Sequence, residues 1–308
     1  MLRIIVLGSA AGGGIPQWNC NCVTCRVARD APDMHSGQVS LAVSADDGRH
    51  WFLINASPDL RQQVLATQQL APSVGHVRHT PIAGVILTNG EVDAVAGLLS
   101  MREGSPFAIH ANARVLDILA ANPIFNVLNP ERVKRLPMPL DEPFEPVLPD
   151  GTGSGLEVTA FEVPGKVAWY LERDASIPRY TPGDTVGLTL RARTGGPEVH
   201  VLTACAGVTP DLAKRLRGSA LVFFDGTLWR DDEMIEAGLA QKTGQSMGHL
   251  SMSGPDGTIA LLEPLAIDRK VFVHINNSNP ALLPGSPERQ AVEAAGWIMP
   301  ELGQEFAT

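Results

Sequence analysis

The stretch that decides the fold reads Ile82-Ala-Gly-Val-Ile-Leu-Thr-Asn-Gly-Glu-Val-Asp-Ala94. Its first seven residues are mostly apolar and rich in β-branched side chains, which predicts a buried strand. Asn89, Glu91 and Asp93 then alternate, so on an extended backbone their side chains project to one side. Polar groups directly after a buried strand commonly form a functional site, although a solvated acidic turn explains the same pattern.

Strands and helices flank this stretch without a regular βαβ period or an internal repeat. Strands are predicted at 2–7, 38–44, 51–55, 108–111, 156–163, 167–171, 185–192, 199–203, 221–224 and 270–275. Helices are predicted at 58–65, 94–101, 114–121, 212–217, 257–265 and 287–295, with Ser57 as the N-cap of the first. Pro-rich stretches at 136–149 and 177–182 are predicted as loops rather than linkers. We therefore expect one layered α/β domain spanning residues 1–308.

The composition is that of a globular protein with an acidic surface. The 308 residues include 24 Lys and Arg against 33 Asp and Glu, a net charge of −9 with histidine neutral. This charge argues against nucleic acid or an anionic membrane as a partner. The apolar run at the N-terminus is too short for a signal peptide, and no stretch is long enough for a membrane span. A cytoplasmic location is expected.

Three of the four cysteines lie together in Cys20-Asn-Cys22-Val-Thr-Cys25. Three thiolates within six residues can wrap one tetrahedral ion, and Zn²⁺ suits sulfur ligands. The alternative is three unpaired thiols in a loop. We predict a structural Zn²⁺ whose fourth ligand comes from elsewhere in the chain. Cys205 stands alone and is expected to be a small buried residue.

Other polar residues have weaker sequence support. The glycine-rich loop 8–14 follows a strand but lacks both phosphate-binding signatures, so we do not expect it to bind a nucleotide. His274 ends an apolar strand and His249 lies in a glycine-bounded loop; each is either a site residue or a satisfied structural histidine. Asp225, after Phe223 and Phe224, is a candidate for an orienting carboxylate.

Seven segments, in order along the chain, resemble one family. They are Leu7-Gly-Ser-Ala-Ala-Gly-Gly-Gly-Ile-Pro-Gln-Trp-Asn-Cys20-Asn-Cys22, Asn55-Ala-Ser-Pro-Asp-Leu-Arg-Gln-Gln63, Gly97-Leu-Leu-Ser-Met-Arg-Glu103, Val163-Pro-Gly-Lys166, Phe224-Asp-Gly-Thr227, Met247-Gly-His249 and His274-Ile-Asn-Asn277. The family is PqqB of pyrroloquinoline quinone (PQQ) biosynthesis, itself similar to the metallo-β-lactamase superfamily. The resemblance implies an αββα four-layer sandwich.

The resemblance also implies that a two-metal hydrolase site is mostly lost. The superfamily motif His-x-His-x-Asp-His matches residues 89–94, where Asn89 and Glu91 replace the first two histidines. A later histidine of the motif set maps near Lys166, and the bridging aspartate maps near Ala204. Because two-metal hydrolysis needs those ligands, hydrolysis is not expected.

The implied activity is an iron-dependent, O₂-using hydroxylation of a tyrosine ring in a cross-linked Glu–Tyr precursor. Two histidines and one carboxylate would hold Fe²⁺ and leave positions for O₂ and substrate. Family members carry a histidine where this chain has Ala94, so Asp93 and His274 remain, with Glu91 or His249 as substitutes. We expect weakened iron binding and reduced turnover unless one of them completes the site.

The remaining expectations concern ligands and an alternative role. Related phosphodiesterases have a histidine at the position of Asn277, which is therefore the candidate fourth zinc ligand. Arg78, Lys166 and Lys242, with His249, are predicted to form a basic pocket for a carboxylate-rich small molecule or peptide-derived precursor. The alternative function is a carrier that binds PQQ or its precursor for transport to the periplasm. The fold class is compatible with a homodimer.

Overall fold

The computed structural model describes residues 1–172 and 179–308. The stretch Ile82–Ile86 is an inner strand of its first sheet. In chain order the strands are Arg3–Gly8 (β1), Ser40–Ser44 (β2), Trp51–Ile54 (β3), Ile82–Ile86 (β4), Phe107–Ala111 (β5), Val133–Pro137 (β6), Pro143–Phe144 (β7), Leu156–Glu162 (β8), Val186–Ala192 (β9), Val199–Leu202 (β10), Leu221–Asp225 (β11), Arg269–Val273 (β12), Trp297–Ile298 (β13) and Glu305–Ala307 (β14).

The helices lie between these strands. The α-helices are Val23–Asp30 (α1), Leu60–Ala66 (α2), Val92–Val95 (α3), Ala113–Ala121 (α4), Pro210–Leu216 (α5), Glu233–Glu236 (α6), Gly244–Met247 (α7), Thr258–Leu262 (α8) and Pro287–Ala294 (α9). Short 3₁₀ helices cover Pro32–Met34, Gln68–Leu70, Ala96–Met101, Pro123–Val127, Trp169–Leu171, Glu263–Leu265 and Pro280–Leu282.

The strands form two mixed sheets with matching topology. One sheet has the order β14-β1-β2-β3-β4-β5-β6 and the other β13-β12-β11-β10-β9-β8-β7. In each sheet one half is antiparallel and the half from β3 to β6, or from β13 to β10, is parallel. The predicted metallo-β-lactamase sandwich is confirmed.

Alternate residues of each central strand enter different apolar cores. In β1, Ile4 and Val6 pack between the two sheets, whereas Ile5 and Leu7 pack under the helices on the outer face. In the second sheet Phe223 enters the core between the sheets and Phe224 the opposite outer core. Because both faces of each sheet are covered, the strands read as continuous apolar runs. The result is the four layers αββα.

Most predicted elements are confirmed, with several corrections. Residues 167–171 contain no strand: Trp169–Leu171 form a 3₁₀ turn, and the backbone N–H of Trp169 bonds the Glu91 carboxylate instead of a neighbouring strand. The stretch 136–149, predicted as a loop, includes the end of β6 and all of β7. Ser57 is not the N-cap of α2, because Asp59 holds that position. The Ser57 hydroxyl accepts the N–H of Asp59, the residue just before the helix begins. The cysteine segment, read only as a loop, continues into α1, which Cys22 caps. The predicted loop 177–182 begins in residues that the structure does not describe.

Over the described residues, no helix has the length and apolar character needed to cross a membrane.

Two buried histidines predict a loss of stability in acid. His110 and His200 are 3% and 0% exposed. Burial lowers the pKa of each to about 4, with Arg215 adding to the effect at His200. In the unfolded chain both histidines are protonated with a pKa near the usual 6.5. Their contribution to stability is therefore complete above that pH and is lost as the pH falls toward 4.

Lowering the pH from about 7.5 to about 5 should cost about 2 kcal/mol of the unfolding free energy per buried histidine. Urea denaturation at the two pH values measures this loss. The amide of the variant His200→Gln can still pair with Thr189. Over the same pH change, the unfolding free energy of this variant should fall by about 2 kcal/mol less than that of the parent. Exposed His76→Gln is the matched control and should behave like the parent protein. Equal acid sensitivity of His200→Gln and the parent would contradict the account.

Candidate metal centre and ligand cavity

One cavity of about 490 Å³ lies where the carboxyl ends of several strands meet. Its walls come from the segments after β1, β4, β8, β10, β11 and β12, together with α6, α7 and the residues next to them. The predicted site residues on these walls are Asn89, Glu91, Asp93, Lys166, Lys242, His249 and His274. The edge of a sheet at its carboxyl ends is where α/β folds commonly bind ligands.

The stretch after β4 presents its polar side chains to this cavity, as the alternation predicts. Asn89 is buried and its Oδ1 accepts the backbone N–H of Glu91 at 3.0 Å. Glu91 is the N-cap of α3, and Asp93 reaches the cavity from the first turn of that helix. The chain is thus extended only as far as Glu91, and the helix supplies the third side chain.

Asp93 and His274 form the centre of the polar cluster. Nε2–H of His274 donates to Oδ2 of Asp93 at 2.9 Å. His274 follows β12 with a φ of 56°, in the left-handed region that non-glycine residues seldom adopt. This turn sends the chain to Ser9, whose carbonyl accepts the N–H of Ile275 at 2.8 Å. Strained backbone of this kind is frequent at functional sites.

Two polar side chains after β11 hold the imidazole rings. Nδ1–H of His274 donates to the Thr227 hydroxyl at 2.8 Å, and that hydroxyl donates to Asp225 at 2.6 Å. Nδ1–H of His249 donates to the other oxygen of Asp225 at 2.7 Å. The two rings stack with centroids 4.9 Å apart. Asp225 therefore orients His249 directly and His274 through Thr227, while Nε2 of His274 is the atom that contacts Asp93.

The electrostatics of this cluster favour a positive charge at its centre. Burial alone would lower the pKa of His274, but hydrogen bonds and charges from Asp225 and Asp93 raise it to about 10. Burial alone would raise the pKa of Asp225, but His249 and His274 hold it far below its usual value. The pKa of Asp93 is also lowered, mainly by its hydrogen bond to His274 against the cost of burial. One buried and one partly exposed carboxylate thus flank the protonated imidazole, whose Nε2 proton a metal ion could replace.

Ala94 faces away from this cluster. It is 2% exposed and packs in the outer apolar core beside Ala56 and Leu98. Its carbonyl accepts the N–H of Ala56 at 2.7 Å. As the sequence indicates, position 94 offers no ligand atom.

The lysines of the cavity are neutralised by carboxylates. Lys166 lies 3.1 Å from Glu91 and 2.7 Å from Glu172, and Lys242 lies 2.5 Å from Glu172. Burial alone would lower the pKa of Lys166, but Glu91 and Glu172 raise it. With Asp93 on the same wall, the lining is balanced in charge. Lys166 and Lys242 thus line one cavity with His249 as expected, but each already has an acidic partner, so the lining carries no excess of basic charge.

Arg78 lies in a different part of the molecule. It is exposed and lines a separate cavity of about 310 Å³ with His50 and Asp150. Its guanidinium donates to the carbonyl of Glu103 at 3.5 Å. The predicted grouping of Arg78 with Lys166 and Lys242 is wrong, because the loop that carries Arg78 precedes β4 and lies away from its carboxyl end.

The sequence analysis did not single out Thr227 or Glu172. Thr227 follows Asp225 by two residues, and its N–H closes a turn onto that carboxylate at 3.0 Å. An Asp-x-Thr pattern directly after a buried strand is a usable signal for such a turn. Glu172 has no comparable local pattern, since its partners are remote in sequence.

The three clustered cysteines form a second candidate metal centre. The sulfur atoms of Cys20, Cys22 and Cys25 lie within 4.8 Å of one another. Each accepts a backbone N–H, from Cys22, Cys25 and Gln17 respectively, at 3.4 to 3.5 Å. Such bonds stabilise thiolates.

The amide of Asn277 closes this group on its fourth side. Its nitrogen lies 3.2, 3.7 and 3.2 Å from the sulfurs of Cys20, Cys22 and Cys25. The position that the sequence assigns to a fourth ligand is thus filled by Asn277, whose amide oxygen is the atom able to ligate a metal. Cys205 lies elsewhere, fully buried, where burial raises the pKa of its thiol to about 12.

We expect the hydroxyl of Thr227 to make a measurable contribution to the unfolding free energy. The variant Thr227→Val keeps the shape of the side chain but removes its bonds to Asp225 and His274. It should lower the unfolding free energy by about 1–3 kcal/mol and weaken metal binding by about 10–100-fold. Urea denaturation and metal titration measure the two effects.

Thr258→Val is the matched control for this substitution. Thr258 is 0% exposed, and its hydroxyl has no hydrogen-bond partner among the described residues. Replacing Thr258 by valine should leave the unfolding free energy unchanged or raise it, because no hydrogen bond is lost. Equal destabilisation by the two variants would contradict a special role for Thr227.

Comparison with known proteins places the chain in a family. The family model of the beta-lactamase superfamily domain matches residues 50–275. Coenzyme PQQ synthesis protein B of Rhodopseudomonas palustris (strain TIE-1) is 64% identical over 306 residues, 99% of each chain. The protein of the same name from Bradyrhizobium diazoefficiens is 62% identical over 308 residues, also 99% of each chain.

A solved structure supports the same assignment. The crystal structure of Zn²⁺-bound PqqB from Methylobacterium extorquens superposes with a TM-score of 0.92 at 47% identity. The match covers 99% of this chain and 100% of that chain. From this identity over nearly its whole length, the chain belongs to the PqqB family of coenzyme PQQ synthesis proteins, within the β-lactamase superfamily.

Proposed function

We propose that the protein acts in PQQ biosynthesis as an iron-dependent hydroxylase of the tyrosine ring in the cross-linked Glu–Tyr precursor. The observation that carries this proposal is the contact of 2.9 Å between Asp93 and Nε2 of His274 on the cavity wall. The family membership supports a role in PQQ synthesis, and the cavity is large enough for a small aromatic ligand.

The donor types of the cavity suit one Fe²⁺ ion. Ligand atoms of His249, His274 and Asp225 lie within 4.8 Å of one another, and Oδ2 of Asp93 lies 2.9 Å from Nε2 of His274. Asp93 offers carboxylate oxygen, and His274 and His249 each offer Nε2 because their Nδ1 atoms bond Thr227 and Asp225. These are the two histidines and one carboxylate that mononuclear iron sites use. Glu91 is the poorer substitute, since one oxygen already accepts Lys166 and the N–H of Trp169.

Each residue of the cluster then has a defined task. Bound Fe²⁺ would supply the electron-transfer chemistry that O₂ requires. Asp225 and Thr227 hold both imidazoles through Nδ1, so Nε2 of each ring would be the ligating atom once a metal ion replaced the Nε2 proton of His274. Lys166 and Lys242 are the cations available to the carboxylates of the precursor. The exposed ring of Trp169 lines the same cavity and offers an aromatic surface to the substrate.

The cysteine cluster is proposed to hold a structural Zn²⁺. Three thiolates with backbone N–H bonds and the Asn277 amide on the fourth side match the closed arrangement of structural zinc sites. The related protein from M. extorquens is described as Zn²⁺-bound. Because Asn277 follows His274 by three residues, such an ion would also fix the chain that carries His274.

Zinc content tests this cluster. The variant Cys22→Ser should lose zinc, since it removes one of three thiolates, and its melting temperature should fall. Elemental analysis of the purified protein measures the metal. The matched control is Cys205→Ser, which removes a thiol far from the cluster and should keep its zinc. Unchanged zinc in Cys22→Ser would refute the assignment.

A carrier of PQQ or its precursor is the second candidate. The observation in its favour is Ala94, which offers no ligand and packs in the apolar core. A site that holds iron weakly suits binding better than turnover. The cavity and its two lysines would serve a carrier as well as an enzyme.

Anaerobic loading with Fe²⁺, followed by O₂ and the precursor, separates the two functions. A hydroxylase should consume O₂ with product formation, and His274→Ala and His249→Ala should lose both iron and O₂ uptake. Ala94→His should bind iron no more tightly than the parent, because position 94 packs in the outer apolar core and is not on the cavity wall. His79→Ala, altered in a separate cavity, is the control.

The opposite outcomes are equally specific. Tight binding of PQQ without O₂ uptake in the parent or in Ala94→His would support the carrier. Tighter iron binding by Ala94→His than by the parent would contradict the placement of position 94 in the outer core.

A further inference from the structure

One carboxylate in the cavity wall bridges two ammonium groups. Oε1 of Glu172 lies 2.7 Å from Nζ of Lys166, and Oε2 lies 2.5 Å from Nζ of Lys242. All three residues line the cavity that holds Asp93 and His274. A carboxylate held by two ammonium groups is also how a protein binds the carboxylate of a ligand.

The two glutamates of this network differ in how firmly they are held. Glu91 caps α3 and accepts the backbone N–H of Trp169 at 2.9 Å, so its carboxylate is part of the local fold. The side chain of Glu172 follows the 3₁₀ turn Trp169–Leu171, and its partners among the described residues are the two lysines. Moving the side chain of Glu172 therefore breaks its two ion pairs, but it breaks no hydrogen bond to the described backbone.

Lys166 is fixed independently of Glu172, whereas Glu172 is the partner that the described residues offer Lys242. Nζ of Lys166 keeps Glu91 at 3.1 Å and the carbonyl of Val167 at 3.3 Å. Its side chain is 19% exposed, whereas that of Lys242 is 45% exposed. An incoming anion would thus meet one anchored cation and one accessible cation.

We propose that Lys166 and Lys242 form a carboxylate subsite that Glu172 fills in the ligand-free protein, and that a carboxylate-bearing ligand takes the place of Glu172. The inference rests on the proposed function only in assigning this cavity to the substrate. Exchange of one carboxylate for another keeps both ammonium groups paired and releases Glu172 to water. A neutral ligand cannot make this exchange, so Glu172 acts as a specificity-determining residue.

The neighbouring indole gives the subsite an aromatic wall. Trp169 is 60% exposed although its backbone is fixed by Glu91, and Tyr170 fixes the same turn through a 2.7 Å bond to the carbonyl of Gly90. An anchored, exposed indole beside two cations suits a planar aromatic carboxylate. Its fluorescence also reports on what enters the cavity.

The test uses benzene-1,2,4-tricarboxylate with the zinc-loaded protein in the absence of iron. Calorimetry and the quenching of tryptophan fluorescence measure binding. Glu172→Gln keeps the shape of the side chain but removes the competing charge, so affinity should rise about tenfold. Glu236→Gln, which removes one exposed charge paired with Arg230, is the matched control for net charge and should leave affinity unchanged.

Lysine variants test the shared cations. Lys242→Met should weaken binding of the tricarboxylate, and Glu172→Gln should give no gain in that background. Benzyl alcohol, a neutral aromatic probe, should show no preference between the parent and Glu172→Gln. An unchanged or lower affinity of Glu172→Gln for the tricarboxylate, an equal gain in Glu236→Gln, or no binding to any variant would overturn the proposal.

The outcome is distinguishable from that of the hydroxylase assay. A gain in Glu172→Gln without O₂ uptake in any variant would keep the subsite and reject the hydroxylase. O₂ uptake by the parent with no change in tricarboxylate affinity would keep the hydroxylase and reject the role of Glu172.

Discussion

The buried carboxylate of Asp225 is the group on which the site depends. It is 0% exposed and accepts four hydrogen bonds, two from Thr227 and one each from Cys205 and His249. A buried charge costs several kcal/mol unless it is paired and fully hydrogen-bonded. The surrounding donors meet that requirement, and in doing so they fix the side chains that orient His249 and His274. The geometry of the site thus follows from satisfying one charge at the end of β11.

The two candidate metal centres share one stretch of backbone. Ile275 exchanges hydrogen bonds with the segment after β1, through Ser9 at 2.8 Å and Ala11 at 2.8 Å. That segment continues through Gly13, whose φ of 96° suits glycine, toward the cysteine loop. On the other side, His274 and Asn277 lie three residues apart, one in each centre. Order at the cysteine cluster is therefore coupled mechanically to the position of His274.

The sequence predicts the elements and site residues that depend on a local pattern. It does not predict contacts that depend on residues far apart in the chain. The apolar runs of β4, β11 and β12, the cysteine spacing and the polar groups after β4 all carry signals within a few residues. The stretch 167–171 looks like a strand, but Glu91, far away in sequence, captures the N–H of Trp169. Arg78 is misplaced because its loop has no periodicity to position it. The pairing of both lysines with Glu172 has no signal in the sequence, because it depends on folding alone.

The network around Lys166 also bears on how many metal ions the proposed site would hold. The superfamily motif assigns metal ligands to the position of Glu91 and to a position near Lys166, and here these two side chains form an ion pair of 3.1 Å. A second divalent ion at that place would have to separate this pair, which also takes part in the network with Glu172. Under the proposed function Asp93 and His274 would therefore serve one ion, because an ion pair occupies the place of a second.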